Sequence, residues 1–154
     1  MIILKIPMKP LTENKNAYFE YEILSSYEAG IELKGGEVKS IIQHGISLRG
    51  TYATLKNEEV WFINCDIPPY QPKNINKEYE QKRSRKLLLH KSEIRELIGK
   101  TKEKGLTLIP LKMYKKGSKI KLEIGLGKAK NKKDKREIIR KRDTEKEIRR
   151  ELKR

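Results

Sequence analysis

The side chains that most often perform chemistry in enzymes are scarce in this sequence. It has two histidines, His44 and His90, and one cysteine, Cys65. A zinc finger needs four nitrogen or sulfur ligands, so this set is too small to build one, and we expect no metal and no other cofactor. A Cys65–histidine pair remains as a nucleophilic arrangement. However, Cys65 falls in the middle of a predicted strand, where a free thiol usually serves packing.

Motifs for binding nucleotides or for hydrolysis are also missing. The segment "GLGKAK", residues 125–130, lacks the Ser or Thr and the helix that follow a phosphate-binding loop. The carboxylates Glu20, Glu22 and Glu28 lie among so many other charges that a solvated surface is their plainer interpretation. The sequence therefore predicts a protein that is not an enzyme.

Positive charge dominates the composition. Lys and Arg number 37 against 21 Asp and Glu, a formal net charge of +16. Residues 130–154 hold 13 of the basic and 6 of the acidic residues, so the remainder of the chain is basic as well. Solubility needs a net charge of only ~2–8. The excess favours a polyanionic partner, with nucleic acid first and an anionic membrane second.

No segment predicts export or insertion into a membrane. The start, "MIILKIPMKP", has a short apolar run without the length or cleavage site of a secretory signal, and no later segment is apolar for long enough to span a bilayer. A single cysteine forms no intrachain disulfide, which fits a reducing compartment. We expect a cytoplasmic monomer that has no membrane partner.

The elements that would position a binding surface are mostly strands. Alternation of apolar and polar residues predicts strands over 18–24, 51–55, 60–67, 106–114 and 119–126. Two further strand-like pieces in 31–42 meet at Gly35 and Gly36, residues typical of a bulge. The segments 25–30 and 56–59 read as a break and a turn, and 68–76 as a loop rich in Pro and Asn.

One helix interrupts this pattern over residues 90–104, with Ile94, Leu97 and Ile98 on one side and Gly105 as its stop. About six short strands, one inserted helix and Gly-rich corners predict a mainly β fold, a small closed barrel of the oligonucleotide-binding (OB-like) type. We predict that this barrel covers residues 1–127 and that residues 128–154 form a basic tail.

The tail has few means to fold alone. Its apolar residues are Ile138, Ile139, Ile148 and Leu152, too few to repay the entropy of ordering the segment, so we expect disorder in the free protein. The i,i+4 pairs Glu137–Lys141 and Glu145–Arg149 favour a helix once a partner is bound. Residues 130–154 would then extend ~37 Å.

Three blocks of the chain are distinctive: "YEAGIELKGGEVKSI" (27–41), "RSRKLLLHKSEI" (83–94) and "KIKLEIGLGKAKNKKDKRE" (119–137). These blocks resemble the small protein B family, and "NKNA" (14–17) is similar to the family's opening motif. The resemblance implies an RNA-binding adaptor of trans-translation. Such an adaptor binds the tRNA-like domain of transfer-messenger RNA (SsrA RNA), near its D-loop, and delivers it to the empty A site of a stalled ribosome. Its tail senses the vacant messenger RNA channel and is helical there.

The resemblance also implies two groups of contact residues. The RNA-binding group is Asn14, Lys15, Glu28, Lys39, Leu88, Lys121, Lys128 and Lys130. The group at the ribosomal decoding centre and messenger RNA channel is Lys133, Asp134, Lys135, Arg136, Ile138 and Arg140. Position 133 departs from the family, which commonly has an aromatic residue or His there, so we expect a phosphate contact instead of stacking.

Three of these residues have a physical interpretation of their own. Three consecutive leucines cannot all face inward on a strand, which leaves Leu88 for packing on a base, and Glu28 can accept hydrogen bonds from base amino groups. Lys121, on the outward side of its strand, suits a phosphate. The plainer interpretations are a core leucine, a turn carboxylate and a solvated lysine.

Two other functions fit the composition. A ribosomal-protein-like component that binds ribosomal RNA would also be basic, but it would co-purify stoichiometrically with ribosomal subunits. A single-strand DNA binder is disfavoured because few aromatic side chains are available for stacking. The candidates are Phe19, Tyr21, Trp61 and Phe62, each of which is more simply explained as core.

Overall fold

The strands form one antiparallel sheet in the computed structural model of the chain, which describes residues 10–71, 78–103 and 105–153. Its seven strands take the order β1-β6-β7-β2-β5-β4-β3. Their bounds are β1 Thr12–Glu13, β2 Tyr21–Ile31, β3 Tyr52–Lys56, β4 Glu59–Ile63, β5 Arg85–Leu88, β6 Leu106–Lys116 and β7 Lys119–Ala129. The prediction of a mainly β fold is confirmed. However, β1 and β3 are the edges of an open sheet, so the predicted closure into a barrel is not confirmed.

The alternation predicted for residues 106–114 and 119–126 is confirmed in the hairpin β6-β7. Met113 lies opposite Leu122, which in turn lies opposite Ala29 of β2. All three side chains are fully buried and belong to the main core. Because successive residues of a strand point to opposite faces, the rows on either side of this one face away from the core.

The predicted strand over residues 18–24 is wrong in its first half. Helix α1 (Lys15–Glu20) covers residues 18–20, and β2 then continues through 25–30, where we predicted a break. A shift of register between Ile23 and Ser25 marks a β-bulge. The bulge adds one residue, Leu24, to β2, and regular pairing with β7 then continues from Ser25 to Gly30.

A second, smaller core explains why α1 forms there. Ala17 of α1 is buried with Ile109 and Leu111 on the face of the sheet opposite the main core. Gly125 makes room for these side chains, because a Cβ atom built on it would lie 2.9 Å from Leu111 Cδ1. The first residues of the alternating segment 18–24 therefore lie in a helix that tertiary packing stabilises, although their pattern is typical of a strand.

The two strand-like pieces predicted in residues 31–42 are also wrong: only Ile31 of the first piece lies in a strand, and the second piece is helix α2 (Gly35–His44). Glu37 lies at the third helical position, and its Oε1 accepts from the Lys34 N–H at 2.9 Å. The buried residues Glu37, Ser40 and Ile41 follow helical spacing. The helix signal was thus present, but the glycines suggested a bulge.

Helix α3 (Lys91–Thr101) confirms the predicted helix, and it ends before Gly105; Lys104 lies outside the described residues. Strand β5 was not predicted. The predicted turn over 56–59 is confirmed, since Asn57 and Glu58 have positive φ (52° and 62°), as in a two-residue type I′ hairpin. The predicted loop over 68–76 lies partly outside the described residues.

Cys65 lies after β4, which ends at Ile63, so the prediction that it is mid-strand is wrong. The thiol is fully buried in the main core. Burial raises its pKa to about 11, so it is protonated at neutral pH and serves packing.

A buried ion pair joins α2 to β5. Arg85 donates to Glu37 Oε2 from Nε at 2.8 Å and from Nη2 at 2.5 Å. The same guanidinium donates to the carbonyl oxygens of Cys65 and Gln81, and Arg83 donates to Glu37 Oε1. Both oxygens of the Glu37 carboxylate therefore accept hydrogen bonds from within the protein, so this ion pair has a structural role.

Candidate nucleic-acid interface

Strand register brings Glu28, Leu88 and Lys121 to one face of the sheet. Gly30 of β2 lies opposite Lys121 of β7 on one side and Leu88 of β5 on the other. Tyr114 of β6 lies opposite Lys121 and extends the row, and Glu28 shares this face because it is two residues from Gly30. We call the surface of Glu28, Gly30, Leu88, Tyr114 and Lys121 the open face.

Leu88 is the apolar part of the open face. Its side chain is 51% exposed, whereas that of Leu87 is 1% exposed, so one leucine of the run is indeed free of the core. A Cβ atom on Gly30 would lie 3.3 Å from Leu88 Cβ and 3.6 Å from Lys121 Nζ. Glycine at position 30 therefore lets the leucine and the ammonium group come together over the strand.

Glu28 is the acidic part of the open face and is fixed by β6. The Tyr114 hydroxyl donates to Glu28 Oε2, and Lys116 Nζ lies 3.2 Å from Oε1. The hydrogen bond from Tyr114, followed by Lys116 and Lys121, lowers the pKa of Glu28. Burial and the same bond raise the pKa of Tyr114. At neutral pH the pair is a carboxylate and a neutral phenol.

Four of the other predicted RNA-binding residues lie near the two ends of α1, away from the open face. The Asn14 side chain donates to the Pro110 carbonyl at 3.0 Å, and Lys130 Nζ donates to the Tyr18 carbonyl at 2.9 Å. Lys15 is exposed beside a cleft of about 710 Å³ between α1 and residues 47–52. Lys128 is seven residues from Lys121 along β7, roughly 24 Å.

Lys39 lies apart from both the open face and the group near α1. It is exposed on α2, and its Nζ lies 5.7 Å from the centre of the Tyr70 ring. Val38, its neighbour in α2, lines a groove of about 290 Å³, and Leu88 and Lys121 line the same groove. The predicted RNA-binding residues therefore form one compact group and two outlying groups.

The tail is one helix, α4 (Lys132–Leu152), which does follow "GLGKAK", contrary to the prediction. Asn131 begins it by accepting from the Asp134 N–H at 2.9 Å, a standard N-cap. Ile138 is half-buried and Arg142 stacks 5.5 Å over the Phe19 ring. No described helix, α4 included, combines the length and apolar character needed to cross a bilayer.

The predicted channel residues differ in their exposure along α4. Lys135 and Ile138 are half-buried, while the exposed members are Lys133, Asp134, Arg136 and Arg140. Every residue from 139 to 153 is exposed, so, apart from the contact of Arg142 with Phe19, this part of α4 buries little surface against the body. The prediction that this segment is disordered in the free protein stays a prediction.

The aromatic residues are placed differently from the predicted stacking candidates. Phe62 is fully buried, and Phe19 is covered by Arg142. The most exposed rings belong instead to Tyr18 and Tyr52. Among the groups that the structure describes, no three His, Cys, Asp or Glu side chains are arranged to hold a metal ion.

Comparison with known proteins identifies the family. The family model of SmpB protein matches residues 11–154. An SsrA-binding protein of Carboxydothermus hydrogenoformans is 52% identical over 144 residues, which are 94% of this chain and 96% of the relative. One of Synechocystis sp. is 48% identical over 147 residues, 96% of each protein. The chain belongs to the SmpB family.

A solved SmpB structure supports the same assignment. It is described as "tmRNA-SmpB: a journey to the center of the bacterial ribosome", and it matches with a TM-score of 0.64 and 42% identity. The match covers 86% of this chain and 96% of that one. The resemblance to the family found in the sequence is therefore confirmed, and the SmpB model spans both the open face and α4.

Sequence reasoning missed Tyr114 and Lys116 as residues of this SmpB surface. Both lie in phase with Lys112 on β6, and buried Met113 separates Tyr114 from Lys112. This alternation is visible in the sequence and could have placed Tyr114 on the outward side of its strand. Its contact with Glu28 was not predictable, because the two residues are 86 positions apart and belong to strands that are not neighbours.

Proposed function

We propose that this protein is the RNA-binding adaptor of trans-translation. Its body binds the tRNA-like domain of SsrA RNA and delivers that RNA to the empty A site of a stalled ribosome in the cytoplasm. The family match over residues 11–154 carries this proposal, because relatives with about half of their residues identical are named for binding SsrA RNA. The adaptor holds and delivers RNA, and no chemical step is assigned to its own side chains.

The open face is the part of the body that would distinguish one RNA from another. Leu88 offers an apolar surface for a base, Glu28 offers acceptors for base donors, and Lys121 offers a cation for phosphate. The outlying residues would position the RNA without reading its sequence. Lys15, Lys39, Lys128 and Lys130 supply positive charge, and Asn14 supplies a neutral amide.

Helix α4 would act after the RNA is bound. Its 21 residues span ~32 Å at 1.5 Å per residue, and its exposed basic side chains suit a channel walled by phosphates. In this proposal α4 occupies the channel that is vacant when messenger RNA is missing, and the residues from Lys133 to Arg140 lie nearest the decoding centre.

The test is to isolate the tagged protein from a bacterial lysate and sequence the RNA that accompanies it. We expect strong enrichment of SsrA RNA with the wild type and a large loss with Leu88→Ala combined with Lys121→Ala. A matched control is Lys102→Ala, which removes one exposed charge after α3. Ribosomal RNA in stoichiometric amounts without SsrA RNA would instead support a structural ribosomal component.

A further inference from the structure

An apolar groove lies at the end of the hairpin β6-β7. Its volume is about 290 Å³, and Ser118 and Lys119 line it at the hairpin turn. The apolar residues that line it are Ile31, Leu33, Val38, Leu88 and Ile120. All of these except Leu88 belong to the main core or pack against it, so the groove follows the rim of that core. We call it the rim groove.

The first described residues enter the sheet at the same end. Leu11 packs against the main core, and its N–H donates to the Met113 carbonyl oxygen at 2.7 Å. Because β1 runs antiparallel to β6, the chain enters β1 from the side of the hairpin turn. Ile120 of β7 lies opposite Lys115, which is two residues beyond Met113 in β6. The chain therefore joins the fold close to the rim groove.

The residues before Pro10 are numerous enough to reach this groove. Residues 1–9 lie outside the described residues. Since β1 and β7 flank β6, two strand spacings of ~5 Å each, or ~10 Å, separate them. Nine extended residues cover ~30 Å. Pro7 and Pro10 lack the N–H needed for further pairing along β6, and each favours an extended residue before it.

The chemistry of this segment suits an apolar groove. Its branched apolar residues are Ile2, Ile3, Leu4 and Ile6. Burial of such side chains is favourable, whereas a patch of them in water is not. The two lysines of the segment carry the same charge as Lys119 and Lys121 of the groove, so apolar burial and not ion pairing would hold it. The family match begins at residue 11, so the segment precedes the part of the chain shared with the family.

We propose that residues 2–6 of this chain dock in the rim groove and compete with RNA for it. Leu88 and Lys121 line the groove and also belong to the open face, so a docked segment covers part of the surface that RNA would use. RNA must then displace the segment, and only the fraction of molecules with a free groove binds directly. The docking is independent of the proposed function, whereas the competition rests on it.

Nuclear magnetic resonance of the free protein tests the docking. The variant combines Ile3→Ser with Leu4→Ser, which keeps the length of the chain and removes two apolar side chains. Because neither residue belongs to the described body, the fold should be preserved. We expect changes in the amide chemical shifts at the rim groove, namely those of Leu33, Val38 and Ile120.

Two controls locate the effect. Ile94 and Ile98 line a separate groove of about 570 Å³ beside α3, and their shifts should stay the same. Lys9→Ser changes a polar residue just after the docked segment and should leave both sets of shifts unchanged. Unchanged shifts at the rim groove in the double variant would overturn the proposal. So would changes that vanish on dilution, because these indicate docking between two copies of the chain.

The dissociation constant for the tRNA-like domain of SsrA RNA tests the competition. If the segment is docked in about two-thirds of the molecules or more, the double variant should bind about threefold more tightly or better. Changed shifts at the rim groove with an unchanged constant would overturn the competition but support the docking. If neither protein binds SsrA RNA above an unrelated hairpin, the proposed function fails, while the chemical shifts still decide the docking.

Discussion

Removal of one partner of the buried Arg85–Glu37 pair should cost more stability than any surface change. The Arg85 side chain is 0% exposed and that of Glu37 is 1% exposed. Glu37→Ala leaves a buried guanidinium without its counter-charge, for which we expect a loss of about 3–5 kcal/mol. A domain of ordinary stability has about 5–15 kcal/mol in total, so a large share would be lost.

Urea unfolding followed by circular dichroism measures this loss. The matched control is Glu59→Ala, which breaks the exposed Lys86–Glu59 pair, whose N–O distance is 3.2 Å, and should cost about 0–1 kcal/mol. Replacement of both Glu37 and Arg85 by Met should recover part of the loss, since no unpaired charge then remains. A loss for Glu37→Ala within about 1 kcal/mol of the control would refute this reasoning.

The pH dependence of stability gives an independent check of the same pair. Burial opposes ionisation of Glu37, but hydrogen bonds from Arg83, the Lys34 N–H and Arg85 outweigh it and lower its pKa below the ordinary value of 4.5. The unfolded chain therefore binds the proton first. The stabilisation by Glu37 is complete above about pH 4.5 and is lost as the pH falls towards its folded pKa. Glu37→Ala should remove this part of the acid transition.

Four further outcomes follow from the structure. Leu88→Ala should weaken RNA binding with little change in stability, whereas Leu87→Ala should cost about 2–5 kcal/mol in urea unfolding. A chain that ends at Ala129, the last residue of β7, should remain folded and bind SsrA RNA more weakly, as filter binding would show. Ile139→Pro should preserve RNA affinity but stop tag addition on stalled ribosomes, because proline inside a helix costs ~3 kcal/mol. Cys65, whose pKa is raised to about 11, should resist alkylation until urea unfolds the protein.

The sequence was sufficient for the elements whose pattern reflects burial on one side. In the hairpin β6-β7, Met113 and Leu122 enter the core while Tyr114 and Lys121 point out, as the alternation predicts. Helix α3 was equally predictable from the sequence, because Leu97 is fully buried and Ile94 and Ile98 flank it at helical spacing. In these segments local propensity and tertiary packing agree.

The failures have a common cause, which is packing by residues distant in sequence. Helix α1 depends on Ile109 and Leu111, and α2 depends on a carboxylate that pairs with Arg85, 48 positions later. A buried ionised Glu is rare unless it is paired, so the pattern of residues 31–42 favoured strands. The same limit applies to the open face, where the leucine and the lysine were predicted singly but their meeting over Gly30 depends on register.

The described contacts of α4 with the body are individually weak. One cation–π contact between Arg142 and Phe19 contributes roughly 0.5–1 kcal/mol at an exposed site. Ile138 is only half-buried, so it contributes less than the ~1.5–3 kcal/mol of a fully buried side chain. Most of the stability of a helix in a protein comes from tertiary packing, and residues 139–153 are all exposed. In the proposed function, the tail exchanges these weak contacts for contacts with an RNA-lined channel. Far-UV circular dichroism of the full chain, compared with that of the chain ending at Ala129, would measure how much of α4 is helical in the free protein.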